Sequence, residues 1–165
     1  MCIRDRLSSP SYAEGLICKF TGWNCPVDFK DLVGRKGLYY KKFSDVPFTG
    51  TVTGKKQGKI KKGKWDGPYV SYHDNGNLYR KGNRKNGKWE GLWVNYYRNG
   101  QLFSEETYKN GKKDGPYVMY HKNGQVMSKG TYKDGKKEGP WVWHKKDGSA
   151  VEKYTGTFKN GVKVK

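Results

Sequence analysis

The chain has 165 residues, which suits one domain or one short array of repeats. Only 33% of the residues are hydrophobic and the mean hydropathy is −1.05, which excludes a thick two-layer core, whereas an aromatic content of 15% argues against disorder. No stretch approaches the roughly 18–20 apolar residues of a membrane-spanning helix.

The 34 basic and 15 acidic residues give a formal net charge of +19. Such a charge predicts attraction to anionic surfaces such as nucleic acid, lipid headgroups, lipopolysaccharide or an acidic protein. Most of the basic residues are lysines, which are hydrated point charges rather than bidentate forks. The alternative is that these lysines only keep an open sheet soluble and its edges unpaired.

The first residues resemble the end of a signal peptide. Ser11-Tyr12-Ala13 fits the small-x-small rule for signal peptidase, with cleavage after Ala13. Residues 1–6 are too short and too charged for an apolar leader, and they resemble a translated sequencing-adapter scar. Residues 1–13 are therefore expected to be the remainder of a leader, which predicts a periplasmic, envelope-associated or secreted protein. A cytoplasmic protein with a serine-rich tail is the alternative.

Residues 14–37 form an N-terminal segment that contains two cysteines. If Cys2 belongs to the scar, the mature chain keeps Cys18 and Cys25, and an even count in an exported domain predicts one disulfide between them. Six residues separate them, so the spacing is not that of a C-x-x-C redox or zinc motif.

Residues 38–165 contain an internal repeat. Its period is 24 residues, as shown by four glycines that each open a related segment: Gly67, Gly91, Gly115 and Gly139. A degenerate half-unit precedes the first glycine, and the last unit carries a two-residue insertion near Val151. The repeat predicts an array of identical structural units.

Each unit also carries explicit turn signals. Asn-Gly or Asp-Gly begins at positions 75, 86, 99, 110, 123, 134, 147 and 160. These pairs supply the two positive-φ residues of a type I′ hairpin turn. Eight turns at strand-length intervals predict an all-β fold, an elongated and twisted antiparallel meander, with no helix longer than about two turns between Tyr39 and Phe158.

The repeated apolar columns indicate what packs neighbouring units together. Alternate positions of a strand share a face. The aromatic column that begins at Tyr69 therefore points to one face of the sheet, and the two columns that begin at Val70 and Tyr72 point to the other face. The predicted repeat core comprises Tyr69, Val70, Tyr72, Trp93, Val94, Tyr96, Tyr117, Val118, Tyr120, Trp141 and Val142. Gly-Pro pairs at 67–68, 115–116 and 139–140 interrupt the strands and predict bulges or bends.

This pattern resembles the bacterial MORN-repeat variant, often labelled a YwqK-like antitoxin family. The shared motif is W/Y-V-x-Y-x-x-N-G-Q-L-x-x-x-G-x-Y-K-N-G-K-x-x-G, which is clearest in Trp93–Gly115 and Tyr117–Gly139. The segment Gly37–Gly50 is also typical of the family, and the resemblance covers about residues 38–165. It implies a repeat scaffold with an antitoxin label, which agrees with export only if the toxin acts outside the cytoplasm.

No residue pattern points to catalysis or to a cofactor. His73 and His121 share a column but lie two repeats apart, and His144 does not complete a zinc site with them. Four acids also form a column, which is typical of a turn and salt-ladder device rather than an acid/base pair: Asp66, Glu90, Asp114 and Glu138. The chain is therefore predicted to be non-enzymatic and metal-free.

Two features favour binding. The run from 55 to 64 contains six lysines and no acid, and it is the tentative anion-binding site: Lys55, Lys56, Lys59, Lys61, Lys62 and Lys64. The alternative for this run is a solvated hairpin tip. The aromatic columns with interleaved basic residues could stack bases or sugars, or they could simply be the core of a thin sheet.

These observations predict a scaffold for protein–protein interaction, with an antitoxin-like role implied by the resemblance. The alternative is a binder of anionic surfaces, such as phospholipid or lipopolysaccharide, through the lysine-rich hairpins. The expected partner is an unidentified protein or an anionic lipid or polymer, and nucleic acid is not the expected partner. No cofactor and no transmembrane segment are expected.

Overall fold

The computed structural model describes residues 25–164, and nearly all of its regular structure is β-strand. A 3-10 turn spans Phe29–Asp31. The strands in chain order are β1 (Val27–Asp28), β2 (Leu32–Arg35), β3 (Leu38–Lys41), β4 (Gly50–Thr53), β5 (Lys56–Lys61), β6 (Lys64–Tyr72), β7 (Leu78–Lys85), β8 (Lys88–Tyr96), β9 (Leu102–Lys109), β10 (Lys112–Tyr120), β11 (Val126–Lys133), β12 (Lys136–Trp143), β13 (Gly156–Lys159) and β14 (Val162–Lys163).

Twelve strands form one open sheet, in which chain order equals sheet order from β4 to β14. Its pairs are antiparallel except at the first edge, where β1 runs parallel to β4. The hairpin β2–β3 stands apart from this sheet. The predicted all-β meander is confirmed, and between Tyr39 and Phe158 the described structure contains no helix.

The eight Asn/Asp-Gly turns are of two kinds. Four have positive φ at both central residues, as in Asn86 (52°) and Gly87 (81°), which is the predicted type I′ geometry. In the four that begin at 75, 99, 123 and 147, only the glycine has positive φ, so the type I′ prediction is wrong there. The first residue of each of these pairs accepts a hydrogen bond from the N–H two residues on, as Asn75 Oδ1 does from Asn77 at 3.2 Å.

The predicted bulges at the Gly-Pro pairs are confirmed. The β9–β10 register shifts between Lys113 and Tyr117, a segment that contains Gly115 and Pro116. Equivalent shifts lie opposite the Gly-Pro pairs at 67–68 and 139–140. The same shift occurs at Gly91-Leu92, which lacks proline, so the positive φ of the repeat glycine, 124° at Gly115, is what takes the strand out of regular pairing.

The two faces of the sheet are buried to different degrees. We call the face that carries Tyr69, Trp93, Tyr117 and Trp141 the aromatic face; these side chains are 0–6% exposed. The opposite face, the valine face, carries the other predicted core residues, which are only partly buried and in one case exposed: Val70, Tyr72, Val94, Tyr96, Val118, Tyr120 and Val142. A single sheet has no second layer to cover both sides.

The first end of the array is covered by the β2–β3 hairpin. Its Tyr39 N–H donates to the Gly63 carbonyl at 2.8 Å, and Gly63 N–H donates to the Phe48 carbonyl at 2.7 Å. The main cluster of buried apolar side chains lies here: Leu32, Phe48, Val52, Ile60, Trp65, Tyr69 and Trp93. The boundary predicted between residues 37 and 38 falls in the turn of this hairpin, and the division into domains stays a prediction.

The predicted leader, residues 1–13, lies outside the described residues, and so does Cys18. The Cys18–Cys25 disulfide therefore stays a prediction. Among residues 25–164, no helix has the length and apolar character needed to span a membrane.

Candidate anion-binding site

The structure distributes the six lysines of the 55–64 run over both faces and two turns. Lys56 lies on the aromatic face, in register with Ser71. Lys59 and Lys61 have the opposite parity and are exposed on the other face, because side chains alternate along a strand. Lys55 pairs with Asp74 of the next turn. Lys62 is a turn residue with φ 47°, and Lys64 begins β6.

Strand register instead brings Lys56 together with two arginines of β7. Lys56 pairs with Ser71, and Ser71 pairs with Arg80, so the three residues form one row across β5, β6 and β7 on the aromatic face. Arg84 lies on the same face, four residues along β7. These residues and Tyr69 line a cavity of about 450 Å³. We call this cavity the cationic pocket.

Aromatic rings hold both guanidinium groups. Arg80 Cζ lies 5.2 Å and Arg84 Cζ 5.5 Å from the centroid of the same Trp89 ring. Arg84 also packs 5.0 Å from the Tyr69 ring and donates to the Gly87 carbonyl at 3.0 Å. Cation–π contacts of this kind fix the arginines without neutralising their charge.

The three cations of the pocket lack a carboxylate partner. Within residues 25–164, no Asp or Glu oxygen lies within 4.0 Å of the charged nitrogens of Lys56, Arg80 or Arg84. Both arginine Nε atoms are buried without a hydrogen-bond acceptor in this part of the chain. Burial lowers the pKa of Arg84, and the like charge of Arg80 lowers it further. The pocket is therefore a site of uncompensated positive charge.

One acid stands at the edge of this cavity. Asp74 pairs with Lys55, and the hydrogen bond from Lys55 is the main reason that the pKa of Asp74 lies below its usual value. Both side chains are exposed, so this pair contributes little to stability. Since Lys55 already offsets Asp74, the charge of the remaining lining is that of Lys56, Arg80 and Arg84.

Arg80 and Arg84 are departures from the repeat, and sequence reasoning missed them. The residues 24 and 48 positions after Arg80 are Ser104 and Ser128, whereas those after Arg84 are Tyr108 and Tyr132. A column-by-column comparison of the repeats would have found both arginines. Positions that break a repeat cannot be explained by the packing that the other repeats share.

The aromatic face is neutralised further along the array. Glu106, 8% exposed, stands where the neighbouring repeats have Gly82 and Gly130. It accepts hydrogen bonds from Ser104 Oγ (2.9 Å) and Tyr108 Oη (2.5 Å) and pairs with Lys113 at 3.2 Å. This acid is fully partnered, so its role is structural. Further along, Lys137 lies over the rings of Trp141 and Phe158 and has no carboxylate within 4.0 Å among the described residues, but it is a single cation, whereas three such cations line the pocket in the first repeats.

The repeated histidines and acids also have structural partners. His73 Nε2 lies 3.0 Å from the Tyr96 carbonyl, and His121 Nε2 lies 2.9 Å from the His144 carbonyl, so each links one repeat to the next. Each column acid accepts from a backbone N–H of the following type I′ turn, at 2.9–3.2 Å for Asp66, Glu90, Asp114 and Glu138. No cluster of three or more potential metal ligands occurs among residues 25–164.

Comparison with known proteins identifies the repeated unit. Residues 65–86, 89–110 and 113–134 match the MORN repeat variant. These three segments are similar to MORN-variant repeats. Each covers one hairpin, namely β6–β7, β8–β9 and β10–β11. MORN repeats are generally associated with binding to proteins or membrane lipids, and most residues that line the cationic pocket lie in the first matched segment. No curated protein matches the chain.

Proposed function

We propose that this chain is a non-enzymatic repeat scaffold that binds an anionic partner through the first part of its aromatic face. The observation that carries the proposal is the convergence of Lys56, Arg80 and Arg84, from two strands, without a carboxylate within 4.0 Å among the described residues. Uncompensated, partly buried charge is costly unless a partner supplies the opposite sign. The general binding role of MORN repeats supports the same conclusion.

Sedimentation with anionic vesicles tests this function with a matched pair of variants. Lys56→Gln and Lys59→Gln remove the same charge from the same strand, but only Lys56 lies on the aromatic face. We expect binding to phosphatidylserine vesicles to weaken for Lys56→Gln and to stay near the original level for Lys59→Gln. Equal losses would instead favour the whole lysine run acting as a diffuse charge, and the absence of binding both to these vesicles and to soluble anions would contradict the proposal.

The valine face supports a second candidate, a protein partner. One row across seven strands alternates aliphatic and charged side chains: Val70, Lys81, Val94, Glu105, Val118, Lys129 and Val142. This partly exposed row of side chains offers a protein partner both apolar contacts and charge complementarity. An antitoxin-like role would use this face. Binding that persists at high salt and is abolished by Val94→Lys would support it, whereas loss of binding at high salt would count against it.

We also propose that the protein is exported. The Ser11-Tyr12-Ala13 site motivates this proposal, and a mature form that begins at Glu14 with Cys18 and Cys25 bonded is the expected product. Mass spectrometry of protein from the cell envelope tests both points. An uncut leader, or two thiols that react with an alkylating reagent before reduction, would contradict them.

A further inference from the structure

The cationic pocket differs from a flat basic surface in two respects. It is a half-open cleft of about 450 Å³, a volume in the range of small-molecule sites. Its arginines are also held in place, since both guanidinium carbons lie within 5.5 Å of the Trp89 ring centroid. Groups that are fixed before binding lose little side-chain entropy when a ligand arrives. Both features favour a discrete anionic group over a diffuse surface.

We propose that the cationic pocket is a specific site for a phosphomonoester, gripped by Arg80 and Arg84 with Lys56 opposite them. This inference rests on the proposed function and deepens it, because it names the chemical class that the pocket selects. A phosphomonoester carries close to two negative charges at neutral pH and three terminal oxygens. The pocket supplies three cations, and a doubly charged phosphomonoester neutralises them more completely than a singly charged group does.

Hydrogen-bonding capacity also favours phosphate over carboxylate. Each guanidinium presents a planar fork that bonds two oxygens, and Lys56 adds a third direction of approach. A carboxylate has two oxygens, which one arginine fork already occupies. Three terminal oxygens allow both forks and the ammonium group to bond at once. Arg84 uses one Nη donor on the Gly87 carbonyl and Arg80 uses one on the Tyr79 hydroxyl, so the other Nη group of each guanidinium is available to the ligand.

The remaining repeats show that the arginines are not needed for the fold. Serine stands at the position of Arg80 in the next two repeats, and tyrosine stands at the position of Arg84. Tyr108 and Tyr132 pack against Trp89 and Trp141 at 4.8 and 4.9 Å between ring centroids. Arg80→Ser and Arg84→Tyr are therefore variants that the repeat itself already accommodates, and their folding can be verified by circular dichroism.

Calorimetric titration of the full chain with glycerol 3-phosphate at constant ionic strength tests the site. We expect the original chain to bind, and Arg80→Ser and Arg84→Tyr each to weaken binding about tenfold or more, since a charge-assisted hydrogen bond is lost. Arg84→Lys keeps the charge but loses the fork, so it should also weaken binding. Lys81→Gln is the matched control, because it lies beside Arg80 on the opposite face and should have no such effect.

Two vesicle preparations distinguish a lipid source of the phosphomonoester from a soluble one. Phosphatidic acid presents a monoester, whereas phosphatidylserine presents only a diester. Preferential binding to phosphatidic acid that requires Arg80 and Arg84 would assign the site to a lipid headgroup, and binding to glycerol 3-phosphate alone would assign it to a soluble ligand. Equal binding to both vesicles, with no titration by glycerol 3-phosphate, would overturn the inference and leave the proposed function standing. Absence of binding to any anion would overturn both.

Discussion

Single glycines decide how closely the tryptophans of the aromatic face approach the next strand. A Cβ added at Gly82 would lie 2.4 Å from the Trp93 indole, and one at Gly130 would lie 2.2 Å from Trp141. Where the aromatic column has the smaller Tyr117, the corresponding position holds Glu106 instead. The indole N–H groups of Trp93 and Trp141 donate to carbonyls ten residues earlier at 3.0 and 3.1 Å. Trp93 and Trp141 thus each pack closely on a glycine of the preceding strand.

We expect Gly130→Ala to destabilise the protein by about 1–3 kcal/mol, because the fully buried Trp141 cannot move away without losing its packing. Gly34→Ala is the matched control, since its added Cβ meets no atom within 4 Å and neither glycine has a positive φ. Chemical denaturation measures both values. An equal effect of the two substitutions would contradict the steric explanation.

Phe43 is strained and exposed at the same time. Its φ is 60°, in the left-handed region that bulky residues avoid, and its side chain is fully exposed. We expect Phe43→Asn to raise the free energy of unfolding by about 1 kcal/mol, because asparagine tolerates this conformation. Phe43→Ala removes the ring but keeps the strain, so thermal unfolding should show little gain for it. A gain of the same size for alanine would show that the ring, and not the backbone, is responsible.

At the scale of strands and turns, each type I′ turn is anchored by the repeat before it. Gly87 N–H donates to the Trp65 carbonyl at 2.7 Å, and the equivalent bonds recur at Gly111, Gly135 and Gly161. The column acids add a second bond to the residue before each glycine. Each hairpin therefore depends on its predecessor, which is how an open repeat array fixes the relative position of its units.

Glu90 is the acid that anchors the turn at Asn110, through a 2.9 Å bond from the backbone N–H. We expect Glu90→Ala to lower the free energy of unfolding by about 1 kcal/mol, because it removes the side-chain acceptor of a turn that no other side chain among residues 25–164 holds in the same way. Glu90→Gln keeps an acceptor oxygen and should cost less. If the glutamine variant is as unstable as the alanine variant, the charge of Glu90 matters more than its hydrogen bond.

At the scale of the whole molecule, a +19 chain with one thin sheet relies on aromatic packing for its stability. Burial raises the pKa of several tyrosines of the aromatic face, including Tyr69, Tyr108, Tyr117 and Tyr132. For Tyr117 the pKa is raised to about 12, by burial first and by Glu106 second. The neutral phenol is thus favoured in the folded state.

These pKa shifts predict loss of stability in alkali. An unfolded tyrosine ionises near pH 10, so the contribution of Tyr117 is fully present below that pH and is lost as the pH rises through about 12. We expect the melting temperature to fall over this interval, and to fall less steeply for Tyr117→Phe, which cannot ionise. The control is the same comparison near pH 8, where the melting temperatures of the two proteins should change with pH to the same extent. Parallel falls of the two proteins between pH 10 and 12 would contradict the prediction.

The sequence by itself determined the fold class, the 24-residue period, and the bulges at the Gly-Pro pairs. These features depend on local turn chemistry and on side-chain alternation, which neighbouring residues alone specify. It did not determine which turns are type I′, because the Asx hydrogen bonds of Asn75 and its equivalents compete with that geometry. Local competition between two turn types is not visible in the Asn-Gly pair itself.

Only the tertiary structure decided where the cationic pocket lies. Lys56, Ser71 and Arg80 come from three strands, and their alignment depends on the register that the bulge opposite Gly67 and Pro68 sets. Composition and the run of lysines pointed to residues 55–64, yet the alternation of β5 divides that run between two faces. Local charge density is a property of sequence, whereas convergence of charges from separate strands follows from strand pairing, which is why the site appeared only in three dimensions.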